Sequence, residues 1–146
     1  MLFMRIKRTE PEKVFIICKN SYSTAALANG QVVSWDYTTD VDGVGVTLAA
    51  AASGVGVAGI AAEAIAAGDY GRIQAYGYHS AVRVRTATGG SPAVAKGSPL
   101  VMQAAVFALE GQSTASTAVL KFPAAFALAA QASFTTKAIA AFIKAL

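Results

Sequence analysis

One histidine and one cysteine bound the chemistry open to this chain. His79 is the sole imidazole, so a histidine metal cluster is excluded and a Ser-His-Asp triad would rest entirely on it. No Gly-x-Ser-x-Gly elbow precedes it, and its neighbours Tyr78 and Ser80 predict a surface or turn position. Cys18 has no second cysteine with which to form an intramolecular disulfide or a thiolate metal site. Within Val14-Phe15-Ile16-Ile17-Cys18 it reads as a small buried hydrophobe rather than a reactive thiol.

The eight acidic residues are scattered. Asp36, Asp40 and Asp42 cluster in one loop, but their spacing departs from an EF-hand loop, and polar turn residues account for them more simply. Glu63 and Asp69 flank a turn without forming a paired-carboxylate site. The glycines of Val44-Gly45-Val46 and Val55-Gly56-Val57-Ala58-Gly59 lack the following helix and acidic partner that a phosphate-binding loop requires, so they fit close strand approach. No catalytic, cofactor-binding or metal-ligating set emerges, and the chain reads as non-enzymatic and cofactor-free.

What remains suits binding. The aromatics Trp35, Tyr37, Tyr70, Tyr76 and Tyr78 carry an apolar body with a polar handle, which favours core and subunit-interface packing; Trp35, Tyr76 and Tyr78 are the expected oligomer contacts. Arg83 and Arg85 alternate on one face of a strand, either solvated or paired with a partner. Arg5, Lys7 and Arg8 join Lys13 and Lys19 in a basic N-terminal run, partly offset by Glu10 and Glu12. A nucleic-acid binder would carry a broader basic face, so a solvated or partner-facing arm fits this run better.

Composition narrows the class. In 146 residues there is room for one domain with a real core. Hydrophobic residues make up 55% of the chain and charged residues 14%, against about 25% charged in ordinary soluble domains. That composition excludes disorder and points to apolar area facing another subunit. Val44 to Ala67 is long enough to span a bilayer, but its Ala/Gly content with β-branched interruptions opposes insertion. The N-terminus places Leu2 and Phe3 before its basic residues, the reverse of a secretory signal.

The elements are short and β-rich, separated by Gly, Pro and Asn turns. Residues 1–13 read as an N-terminal arm and 14–146 as a single β-rich domain. Strands are predicted at Val14 to Lys19 (buried), Gln31 to Trp35, Val44 to Leu48, Val55 to Ala58, Gly71 to Tyr76 and Ala81 to Arg85. Further strands are predicted at Pro99 to Met102, Ala105 to Leu109, Ala118 to Phe122 and Ile139 to Lys144. The alanine runs Ala58 to Ala67 and Ala124 to Ala132 leave room for at most one short helix. The expected fold is all-β, a compact barrel or sandwich. Leu27-Ala28-Asn29-Gly30 aligns with Val94-Ala95-Lys96-Gly97, and Ile73 to Tyr76 with Ile139 to Phe142, suggesting two pseudo-repeated halves offset by about 67 residues.

Several short motifs follow this order: Lys13-Val14-Phe15, Gly30-Gln31-Val32-Val33-Ser34-Trp35-Asp36, Gly56-Val57-Ala58 and Ala66-Ala67-Gly68-Asp69-Tyr70-Gly71. They continue with Ala95-Lys96-Gly97-Ser98-Pro99-Leu100 and the terminal Phe142-Ile143-Lys144-Ala145-Leu146. Together, from Val14 to the C-terminus, they resemble the small decoration, or cement, proteins of tailed-bacteriophage heads. The resemblance implies a virion protein on the outer capsid surface that trimerises and clamps neighbouring major capsid protein subunits. On that reading Arg5, Lys7, Arg8, Arg83 and Arg85 are the expected capsid contacts. The competing expectation is a small β-barrel carrier or ligand-binding module of the lipoyl or β-clip type. Lys96 is its only candidate attachment lysine, without flanking acids.

Overall fold

A computed structural model describes residues 11–40, 43–48, 56–86, 93–103, 105–112, 122–132 and 135–145. Among them are nine strands and no helix: β1 (Lys13–Asn20), β2 (Val32–Trp35), β3 (Gly45–Thr47), β4 (Val57–Ala61), β5 (Tyr70–Arg85), β6 (Pro99–Met102), β7 (Leu109–Gly111), β8 (Ala125–Ala127) and β9 (Lys137–Lys144). The all-β expectation holds. The strands form one mixed sheet ordered β1-β3-β2-β4-β5-β7-β6-β8-β9, in place of a closed barrel. β5 also pairs with β1 and β9, so the sheet returns to it from both ends.

β5 explains this arrangement. Its sixteen residues alternate inward and outward almost throughout, so one strand serves two cores. Its first half pairs antiparallel with β1, from Lys13↔Gly77 to Lys19↔Tyr70. Its second half pairs antiparallel with β9, from Tyr76↔Lys144 to Val84↔Lys137. The sequence predicted two strands here, broken near His79; the chain instead stays extended, and a bulge between His79 and Val82 absorbs the irregularity.

The pairing scheme runs twice. β1 joins β3 in parallel and β5 joins β7 in parallel. Val32 faces Ile60 across β2 and β4, as Pro99 faces Phe126 across β6 and β8. Single-residue bridges Leu27↔Ile65 and Val94↔Gln131 precede equivalent turns. Even the turn bonds correspond: Ala28 N–H donates to Gln31 Oε1 at 2.6 Å, and Ala95 N–H to Ser98 Oγ at 3.1 Å.

Two clusters fill the interior. Leu27, Val33, Val46, Ile65 and Ile73 surround Cys18 in one. Val82, Leu100, Met102, Leu109 and Ile143 form the other, which also takes in Val32 and Ile60 from the first half. The alanine runs extend rather than coil: Ala58 and Ala61 lie in β4, Ala125 and Ala127 in β8, all buried. Burial in a sheet with small side chains outweighs the few tenths of a kcal/mol per residue by which alanine favours helix.

Three further expectations change. The predicted buried strand at Val14 to Lys19 is a strand, but Val14, Phe15 and Ile17 are exposed. The strand predicted at Ala105 to Leu109 begins only at Leu109, because Ala105 turns the chain with φ at 56°. Residues 118–121 of the next predicted strand lie outside the described residues, and Phe122 is in no strand. Residues 1–10 of the arm, with Arg5, Lys7 and Arg8, also lie outside the described residues.

Candidate functional site

The residues with chemical potential are tied up locally. His79 is buried rather than exposed, which corrects the surface or turn position predicted from its polar neighbours. Its Nδ1 accepts the Ala81 N–H at 3.1 Å inside the bulge. Burial, with a smaller contribution from the Lys13 cation, lowers its pKa and favours the neutral ring. A depression of about 200 Å³ beside it is lined by Lys13, Phe15, Asn29, Arg72, Gln74 and Ser80, with no carboxylate among the described lining residues. Gln74 spends its amide within the sheet, donating to the carbonyls of Tyr76 at 3.1 Å and Tyr78 at 3.0 Å.

Cys18 is buried and unpaired, and desolvation pushes its thiol up to about 11. Asp36 closes its own turn: its carboxylate accepts from the Thr38 N–H at 3.2 Å, the Thr39 N–H at 3.1 Å, the Thr38 hydroxyl at 2.9 Å and the Thr39 hydroxyl. Burial works to raise its pKa, but these donors together hold it below the usual carboxylate value. Asp42 lies outside the described residues. Among the described residues, no group of three or more His, Cys, Asp or Glu side chains could hold a metal ion. Nor is any helix among them long and apolar enough to cross a membrane.

The sequence-predicted binding residues are spread over the sheet. Arg83 and Arg85 share the outward face of β5, with Val82 and Val84 turned inward, and both are half-buried. Arg85 Nε is buried with no hydrogen-bond partner among the described residues. Tyr76 packs edge-on against Phe142, with ring centroids 5.1 Å apart, while Tyr78 lies two residues along the same face. Trp35 is separate. It borders an open groove of about 410 Å³ with Gly56, Val57, Phe122, Pro123, Lys144 and Ala145.

Sequence reasoning missed the exposed apolar positions. Phe15, Ile17 and Tyr70 form a patch on β1 and β5, where Ile17 is 62% and Tyr70 63% exposed. Arg72 caps its rim, with its guanidinium 5.7 Å from the Phe15 ring centre and 2.9 Å from Glu63. Phe126 in β8 and Leu128 just beyond it are also exposed. Outward apolar residues alternating with inward ones give a continuous hydrophobic run, which reads in sequence as a strand buried on both faces.

No protein-family model matches the chain, and no curated protein sequence matches it. Among solved structures it is similar to the head fiber gp8.5 N base of bacteriophage phi29, at a TM-score of 0.50 and 13% identity. That likeness covers 92% of this chain and 96% of the other. At this identity the likeness is one of fold, and it spans both halves of the sheet.

Proposed function

We propose that the chain is a structural, non-enzymatic virion protein that decorates a phage capsid and stabilises it as a homo-oligomer, favouring a trimer, on the outer surface of the head. The carrying observation is the fold likeness to a phage head-fiber base over nearly the full length of both chains. The exposed apolar strand faces and the low charge content support association with copies of itself. The single domain with two pseudo-repeated halves is part of this reading, supported by the doubled pairing scheme around β5. Its partner is the major capsid protein, met by Arg83, Arg85 and the basic run Arg5, Lys7 and Arg8; Trp35, Tyr76 and Tyr78 serve the oligomer.

The test is addition of the purified protein to capsids that lack it. Saturable binding and greater resistance of the decorated shells to heat are expected; no binding at micromolar protein overturns the reading. Lys96, exposed in the turn leading into β6, supports the carrier as a second reading. Intact mass from the native source separates them, since a carrier would be heavier by its prosthetic group.

A further inference from the structure

One contact joins the two halves of the sheet, and among the described residues the two surfaces that would repeat it stand uncovered. Val32 and Ile60, paired across β2 and β4, are 0% and 1% exposed because they join the core of the second half. Beside them the Gly30 carbonyl accepts the Arg83 N–H at 2.9 Å. β5 passes so close that a Cβ at Gly30 would overlap the Ala81 carbonyl oxygen.

The second half presents the same donor face, uncovered by any described residue. Gly97 takes the place of Gly30: its N–H donates to Ala127 O at 2.7 Å, as the Gly30 N–H does to Ala61 O at 2.9 Å. Pro99 and Phe126 take the places of Val32 and Ile60. Yet Phe126 is 36% exposed, Leu128 beside it is 37% exposed, and a Cβ at Gly97 would meet no described atom within 4 Å.

The first half presents the matching receptor, with no described strand seated on it. Arg83 lies opposite Ala138 of β9, and Ile17 lies opposite Arg72 of β5, the corresponding register position. Lys19 N–H donates to Val44 O at 2.9 Å, away from β5, so the Ile17 N–H two residues earlier points to that same edge. β3 joins β1 only at Lys19 and Asn20, so no described strand pairs with that edge from Lys13 to Cys18.

We propose that the partner of both surfaces is a second copy of this chain: the Gly97 turn and Phe126 face of one copy seat on the β1 edge of the next, with the Ile17 N–H donating to the Gly97 carbonyl. The inference rests on the homo-oligomer reading and specifies its interface. The two surfaces differ, so the contact is heterologous, runs head to tail, and is bounded only when it closes into a ring. A ring of three chains would hold six similar half-units.

Two exposed substitutions test it, Ile17→Asp on the receptor and Phe126→Asp on the donor face, with oligomer mass read by light scattering. The wild type is expected at three times the chain mass. Each variant alone is expected to be monomeric, with an unchanged far-UV spectrum. An equimolar mixture is expected to recover a species of twice the chain mass, because each variant keeps one live surface. An oligomeric wild type whose mass survives either substitution overturns this interface alone, as does a mixture that stays monomeric. A monomeric wild type overturns the oligomer reading, and the interface with it. Should either variant lose its fold, Phe15→Asp and Leu128→Asp occupy the same two surfaces and carry the same outcomes.

Discussion

His79 Nδ1 accepts the Ala81 N–H at 3.1 Å, so the bulge in the shared strand is held by a ring nitrogen that must stay unprotonated. Burial and the nearby Lys13 lower the folded-state pKa below the ordinary 6.5. The unfolded chain therefore binds the proton more readily, and stability falls as pH drops from about 6.5 through the lowered folded value. His79→Gln removes this dependence. At pH 7 the loss of the bond costs about 1 kcal/mol, lowering Tm by a few degrees. Thermal melts between pH 5 and 7.5 check both; parallel profiles for wild type and variant would refute the role of the ring.

Cys18 titrates in the opposite direction. Its thiol is pushed up from 9.0 to about 11 by burial, so the folded state holds the proton more tightly. Stability from this group is present below pH 9 and declines between pH 9 and 11. At pH 8 the native protein is expected to resist iodoacetamide while the urea-unfolded chain is alkylated within minutes, a contrast read by intact mass. Rapid modification of the native protein would contradict the burial.

Gly30 and Gly97 have φ values of 83° and 87° but different surroundings. Alanine at either position pays the left-handed backbone cost, about 1 kcal/mol. At Gly30 it also collides with the Ala81 carbonyl, whereas at Gly97 the space is open. Gly30→Ala is therefore expected to cost at least about 2 kcal/mol more than Gly97→Ala, since rigid backbone cannot yield as a side chain does. Urea denaturation of the two variants measures the difference, and equal midpoints would remove the close approach from the account.

The parts of this fold legible in sequence are those set by local chemistry. Asn29-Gly30 and Lys96-Gly97 mark turns because glycine supplies the positive φ, and Gln31 to Trp35 and Pro99 to Met102 follow as strands. The continuity of β5 was not legible, since Gly77, His79 and Ser80 are weak strand formers; pairing to β1 and β9 keeps Gly77 and His79 extended, and Ser80 lies in the bulge. That pairing also buried His79. The outward turn of Phe15 and Ile17 was equally hidden, because which face of a strand meets the core is settled by distant partners. For the candidate site, the scarcity of reactive groups and the Arg83/Arg85 alternation were readable. The free surfaces required the doubled pairing scheme to be seen in three dimensions.

The pairings of the described strands begin after the basic run Arg5, Lys7 and Arg8. β1 begins at Lys13, and its pairing runs from there to Asn20 with β5 and β3. Removal of Met1 to Arg8 takes away Arg5, Lys7 and Arg8, none of which enters a pairing of the described strands, so the fold is expected to survive. If these cations meet an acidic capsid surface, their attraction is screened over about 8 Å at 0.15 M salt. The full chain is then expected to lose capsid affinity steeply between 50 and 300 mM salt, as about tenfold or more for three ionic contacts of roughly 0.5 kcal/mol each. The truncated chain should start weaker and respond less. Quantitative sedimentation with purified capsids gives both curves, and the melting temperature of the truncated protein should match that of the full chain. Equal affinity and equal salt slope for the two chains would assign capsid binding to the folded sheet, with Arg83 and Arg85 the next residues to replace.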